Sequence, residues 1–252
     1  MSDVRDWPGA DKRRAPRSGM NYAVRAPLLA WLEHEGARAA AEHGRTLRIL
    51  DVGCSNKPYY PYFAGCAAQY VGVDVVPGPE VDLVGGVEAL PVPDASFDLV
   101  ICTQVLEHVD DPRRAVAELR RVTAPGGRVL ASTHGVQVFH PSPGDWWRWT
   151  RTGLERLFQE NATWASVTVQ PGSGSAACIA MLTAFYVRNT LRRLGLMPVA
   201  SAAVWLLNTV AAAIDRSSAA FGGTGPGTIH ANYHVVAVAP GAGAGGAAEA
   251  GA

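Results

Sequence analysis

Ile49-Leu50-Asp51-Val52-Gly53-Cys54-Ser55-Asn56-Lys57 is the stretch on which the fold turns. An apolar run ends in an acid and then a glycine turn, which reads as a buried strand feeding a loop. Glycine has no Cβ, so Gly53 lets the backbone come close to a ligand. In open α/β sheets, ligands bind at the carboxyl ends of the strands. Asp51 can accept from an ammonium group or orient the loop. About twenty residues on, Tyr70-Val71-Gly72-Val73-Asp74 repeats the theme with a second strand ending in a carboxylate. That spacing lets Asp74 chelate both hydroxyls of a ribose. The pair reads as a nucleoside-binding half-sheet.

Working outward, short apolar strands are predicted at Leu47–Val52, Tyr70–Asp74, Phe97–Thr103, Gly127–Ser132, Ala165–Gln170 and Asn232–Ala239, with a weak one at Val81–Val84. Helical stretches lie between them, which is the pattern of a largely parallel sheet covered on both faces. The clearest helix is Pro112–Val122: Asp111 is placed to cap it, Pro112 takes its first position, and Ala115, Val116, Leu119 and Val122 form a stripe. Another spans about Thr152–Gln159, with Thr150 or Thr152 as cap. The first 20 residues read as a flexible arm, residues 21–239 as the domain, and residues 240–252 as a disordered Gly/Ala tail.

Composition narrows the classes. The 22 Lys and Arg balance the 22 Asp and Glu, so there is no electrostatic footprint for nucleic acid. Cys54, Cys66, Cys102 and Cys178 form no metal-ligand spacing, and no metal is expected. The charged, Pro/Gly-rich start is not a secretory signal, so a reducing cytoplasm is the expected compartment.

A dinucleotide-dependent oxidoreductase would share the strand-end acids. Here Ser55, Asn56 and Lys57 follow Gly53 and Cys54, so the GxGxxG cradle for a pyrophosphate is missing. Downstream comes Leu90-Pro91-Val92-Pro93-Asp94-Ala95-Ser96-Phe97-Asp98-Leu99-Val100, then Glu107-His108-Val109, Asp111-Pro112, Leu119-Arg120-Arg121-Val122 and Pro125-Gly126-Gly127. This joint pattern resembles the class I S-adenosylmethionine (SAM)-dependent methyltransferases of the type 11 domain family, over roughly residues 47–160. The block from His140 to Thr150 is similar to one found in a shorter subset associated with glycan and secondary-metabolite pathways.

The resemblance implies a Rossmann-like α/β fold with a seven-stranded, mostly parallel sheet, and SAM as the cofactor. It implies that Asp51, Gly53, Cys54 and Ser55 surround the methionine end of SAM. Asp74 and Val75 would take the ribose side, Gly86, Val87 and Glu88 the adenine, and Thr103 and Gln104 the sulfonium. Two positions depart from the family: Ser55 stands where a glycine is usual, and Gly86 where an aspartate often accepts from adenine. Adenine recognition then falls to backbone groups or Glu88. A non-catalytic scaffold protein on this fold is the alternative that Gly86 and the apolar segment at residues 176–221 keep open.

Methyl transfer to a hydroxyl needs a general base, and histidine is suited to it near neutrality. His134 and His140, which follow the fifth strand, and His108 in the Glu-His pair are the candidates. Asp145 and Arg148 either pair as a scaffold or grip a polar acceptor. Of Trp146, Trp147 and Trp149, alternate residues point to different sides, so at least one belongs to the core; Trp147 is a candidate for stacking on an acceptor. A small-molecule or lipid-linked acceptor fits. Residues 176–221 hold two long apolar stretches, and Leu196–Ile214 has nineteen residues without a charge. Because Asn232–Ala239 must return to the same sheet, a single membrane span is excluded in favour of an inserted helical pair. That pair packs on the domain, on a second subunit or against a membrane surface.

Overall fold

The computed structural model describes residues 7–44, 46–141 and 144–242. In chain order these form α1 (Tyr22–His43), β1 (Leu47–Val52), α2 (Tyr60–Phe63), β2 (Ala67–Asp74), β3 (Leu83–Val84), a 3-10 turn (Val87–Ala89), β4 (Phe97–Thr103), α3 (Pro112–Val122), β5 (Thr123–His134), α4 (Arg151–Asn161), β6 (Ser166–Pro171), α5 (Ser175–Arg193), α6 (Met197–Ser217), α7 (Ala219–Gly222) and β7 (Asn232–Val238). The seven strands lie in the order β3-β2-β1-β4-β5-β7-β6. All neighbours are parallel except β7, which runs antiparallel to both β5 and β6. The expected fold class is therefore present, inserted helical pair included.

Alternation along the strands builds two cores. Leu50, Val52, Val100 and Cys102 face one way, into a cluster that includes Val116, Leu119, Leu154 and Phe158 from α3 and α4. Ile49, Leu99, Ile101 and Leu130 face the other way, onto Leu28, Leu32 and Phe63. The order of the sheet reverses at β1, whose neighbours are β2 on one side and β4 on the other. Their carboxyl ends diverge there and open a crevice.

Local chemistry agrees where it could be read. Asp111 accepts from the backbone N–H groups of Arg113 and Arg114, capping α3, and Thr150 accepts from Gly153 to cap α4. Helix α1 is the element the sequence reading lacks. Asn21 makes no side-chain cap bond and Pro27 sits inside the helix, so the usual marks are missing. Its buried Val24, Leu28, Leu32, Gly36 and Ala39 nevertheless repeat at helical spacing. A Cβ on Gly36 would come 2.1 Å from the Tyr62 carbonyl oxygen, so only glycine allows this approach.

The flexible-arm expectation is corrected for residues 7–20. Trp7 donates to the Lys57 carbonyl at 2.9 Å and packs on Tyr60, while Arg13 donates to the carbonyls of Trp7, Pro8 and Pro58. One guanidinium gathers three carbonyls and fixes the segment beside the β1 turn. Residues 1–6 and 243–252, including most of the expected Gly/Ala tail, lie outside the described residues.

Candidate active site

The β1 turn owes its shape to Gly53. Its φ is +70°, and a Cβ there would fall 2.4 Å from Cγ2 of Val105. Ser55 and Lys57 continue the turn at φ of +50° and +48°, a region costly for side-chain-bearing residues. Asp74 offsets this strain by accepting from the Ser55 N–H at 2.8 Å and the Val76 N–H at 3.0 Å. Ser55 also receives the Lys12 ammonium on its hydroxyl at 2.9 Å. Lys12, from the supposed arm, thus reaches the site.

A cleft of about 450 Å³ opens at this switch point, lined by Gly53, Ser55, Asp74, Val75, Gly86, Val87, Glu88, Gln104 and His108 among others. That size lies within the usual range for a small-molecule site. Gly86 leaves an open wall facing Val75, which is 57% exposed and offers an apolar face. Glu88 borders the cleft, and its Oε1 accepts from the Asp111 N–H at 2.5 Å.

Three expected cofactor residues sit elsewhere. Asp51 is buried beneath the floor, accepting from the Tyr70 hydroxyl at 2.8 Å, and burial pushes its carboxyl up to about 7. Thr103 is buried at the end of β4, and the Cys54 side chain is buried under the turn against Gly72. Strand alternation explains Asp51: the crevice is met by the turn that follows it, not by its own side chain.

A second cavity, about 370 Å³, lies on the other side of Gln104 and His108, which line both spaces. Gln104 has φ of +56°, and its amide donates to Ser132 Oγ at 2.9 Å and Asn232 Oδ1 at 3.0 Å. This second cavity holds all three candidate histidines, with Glu107 behind them and Arg25, Tyr59, Gln137 and Phe185 around them. Ring centroids of His108 and His134 lie 5.2 Å and 4.9 Å from His140.

Glu107 is the residue that sequence reading passed over, although it was visible in the Glu-His pair. It is fully buried, accepts from Thr133 Oγ1 at 2.8 Å, and stands 3.3 Å from Nδ1 of His134 and 3.9 Å from Nε2 of His108. Burial pushes Glu107 up to about 7 and His134 down to about 3, and it also lowers His108. The pocket therefore favours the neutral rings of His108 and His134. His108 Nδ1 touches the Gly144 carbonyl, which can only accept, so that nitrogen carries the proton and Nε2 holds the free lone pair.

Asp145 and Arg148 form a two-pronged pair at 2.5 and 2.7 Å, and Asp145 also accepts from the His140 N–H at 2.9 Å. The guanidinium holds Asp145 well below the usual carboxylate range. The scaffold alternative is the one the geometry favours. Potential ligand atoms of His108, His140 and Asp145 lie within 4.8 Å of one another. Arg148, however, occupies both Asp145 oxygens, where a cation would have to sit. Trp147, expected at the acceptor, turns away: its Nε1 donates to the Val109 carbonyl, and it stacks on Trp149 over a groove beside α3 and α4. Trp149 supplies the anticipated core contact.

Residues 50–131 match the family described as methyltransferase domain. Among curated relatives, a malonyl-[acyl-carrier protein] O-methyltransferase of Hahella chejuensis is 32% identical over 145 residues, covering 49% of this chain and 50% of that one. A ubiquinone biosynthesis O-methyltransferase of Xanthomonas axonopodis pv. citri is 32% identical over 142 residues, covering 50% and 55%. The chain spans about half the length of the curated relatives it matches. Among solved structures, phosphoethanolamine N-methyltransferase 2 of Haemonchus contortus, in complex with phosphomonomethylethanolamine and S-adenosylhomocysteine, aligns with a TM-score of 0.51 at 14% identity, over 95% of this chain and 61% of that one. At that identity the likeness speaks for the fold.

Proposed function

We propose that this chain, which carries a class I SAM-dependent methyltransferase domain of the type 11 family, methylates a hydroxyl of a small-molecule or lipid-linked acceptor in the cytoplasm. The observation that carries this reading is the shared wall: Gln104 and His108 border both the nucleoside-sized cleft and the histidine-lined cavity. A donor in one and an acceptor in the other would meet at that wall. The two curated relatives described above are named as O-methyltransferases, which supports an oxygen acceptor.

The residues present fit SAM. Asp74 stands where ribose hydroxyls would find a charged acceptor. Gly86 and the backbone beside it leave room for a flat base, with Val75 as its apolar neighbour. When bound, SAM supplies an already activated methyl group, so the protein contributes alignment and proton removal. A nicotinamide cofactor fits less well. The helix between β1 and β2 is the four-residue α2, too short to cradle a pyrophosphate.

His108 is assigned as the base. Its Nε2 lone pair is free, its ring borders both spaces, and burial keeps it neutral. As Nε2 takes the hydroxyl proton, the ring becomes cationic, and the ionised form of Glu107, 3.9 Å away, lowers the cost of that charge once the pH reaches about 7. His134 is buried and closer to Glu107, 3.3 Å from its carboxyl group, which Thr133 holds in place. His140 completes the wall above both rings. Titration calorimetry with SAM beside NADH tests the cofactor. Binding of NADH with no binding of SAM would reject the proposal.

A further inference from the structure

We infer that the α5–α6 hairpin docks on an anionic phospholipid surface and sets the mouth of the acceptor cavity at that interface. The hairpin packs inward through small residues. Ala176 and Ala180 of α5 meet Ala211 and Leu207 of α6, while Cys178 and Met181 reach Ala23 and Val24 of α1. The opposite side of α6 has the composition of a core without its cover. Val199, Ala202, Leu206, Val210 and Ala213 are exposed at spacings of three, four, four and three, which is one continuous helix face. Trp205 flanks it, 50% exposed. A surface helix in water normally puts charge on such a face, and α6 has none before Asp215. An apolar strip of this length marks an interaction site.

Charge selects the occupant. Between residues 175 and 217 the charged residues are Arg188, Arg192, Arg193, Asp215 and Arg216. The single carboxylate is already committed: Asp215 accepts from the N–H groups of Ala176 and Ala177 at 3.0 and 3.1 Å and so caps α5. Arg192 and Arg193 are exposed at the tip, next to exposed Leu194 and Leu196. A second copy meeting this one through the hairpin would bring arginines together with no free acid on either hairpin to answer them. Phosphate headgroups supply the missing anions, and the apolar face and Trp205 suit the interfacial zone beneath. The chain returns from α6 to β7 in the same sheet, which excludes a single span, and α5 is packed on α1 through Cys178 and Met181, so the hairpin lies on the surface.

The surface also leads to the site. Phe185 of α5 lines the acceptor cavity together with Phe139, which is 72% exposed. Phe185 packs at 5.6 Å on Tyr186, itself 67% exposed on the outside of the hairpin. An apolar track therefore joins the hairpin surface to the histidines. The part of the inference that concerns this mouth rests on the acceptor-cavity reading above.

Flotation of the full chain with vesicles of mixed phosphatidylglycerol and phosphatidylcholine, beside vesicles of phosphatidylcholine alone, tests the docking. Binding to the anionic vesicles is expected, weakened by salt and released by carbonate. Arg192→Glu/Arg193→Glu should reduce it about tenfold or more, since each basic residue near such a surface contributes about 1 kcal/mol. Leu206→Ser/Val210→Ser should reduce it as well, and these exposed positions leave the core untouched. No capture, equal capture by neutral vesicles, resistance to carbonate, or a dimer that forms without lipid and dissolves in the Leu206→Ser/Val210→Ser variant would each overturn it. SAM calorimetry on the same variants separates the two proposals. In these variants vesicle binding should fall while SAM binding stays intact; in the unmutated chain, SAM binding without vesicle capture defeats only the docking, and vesicle capture without SAM binding defeats only the cofactor reading.

Discussion

The two spaces that meet at Gln104 and His108 are built in different ways. The proposed cofactor cleft is made mainly of strand ends and the turns that follow them, with Lys12 reaching in from the N-terminal segment. The proposed acceptor cavity is made of large side chains from α1, the β1–β2 connection, the β4 end, the loop after β5, and α5. Changes in the first should alter binding, and changes in the second should alter rate. That division is open to experiment.

The largest effect is expected from the cavity. His108→Gln should lower turnover by about 10²-fold while SAM affinity stays within about twofold, as removing a general base does. Equal losses from His134→Gln or His140→Gln alone would move the base to that residue. Because burial lowers His108 below its ordinary 6.5, the acid limb of the turnover profile should fall below that value. A limb centred above 6.5 would remove His108 as the base.

On the cleft side, Asp74→Ala should weaken SAM binding about tenfold or more, with loss of both the ribose acceptor and the tie on the Ser55 and Val76 amides. Asp74→Asn keeps part of that tie. If Asp74→Asn binds SAM as the wild type does, the charge has no part in recognition.

Asp51 tests the boundary between floor and cleft. Its folded pKa of about 7 lies above the unfolded 3.8, so the folded chain holds a proton that the unfolded chain has released. Stability should therefore decline as pH rises from about 4 to 7 and then level off. Asp51→Asn should reduce that decline in thermal unfolding, leaving the part that Glu107 contributes over nearly the same range, and leave SAM affinity nearly unchanged. A large loss of affinity would return Asp51 to the ligand, as the family resemblance implies.

The smallest effect belongs to Ser55→Gly. Relief of the positive φ should stabilise the fold by about 1 kcal/mol, partly offset by loss of the Lys12 contact. A destabilised variant would mean that the Lys12–Ser55 contact outweighs the strain.

Much of the cleft was legible because its determinants are local. Gly53, Asp74, Gly86 and Val87 each follow a strand within a few residues, and strand, turn and spacing can be read along the chain. The cavity was legible only as a set of candidates. Bonds from Trp146 and Trp147 N–H to the Glu107 carbonyl, and from Trp149 N–H to the His134 carbonyl, fold the loop after β5 back over the β4 end. That folding gathers the histidines, buries Glu107 among them and turns Trp147 outward. None of this has a local signature.

By itself the sequence determined the strands, the capped helix α3, the glycine turn and the acid on each side of it, because backbone geometry and side-chain periodicity act over a few residues. Only the tertiary structure decided that Asp51 lies under the floor, that Glu107 stands behind the histidines, that residues 7–20 pack beside the site, and that α6 keeps an apolar face uncovered. Those outcomes depend on which distant segments come into contact, and burial, pairing and charge are fixed by that contact.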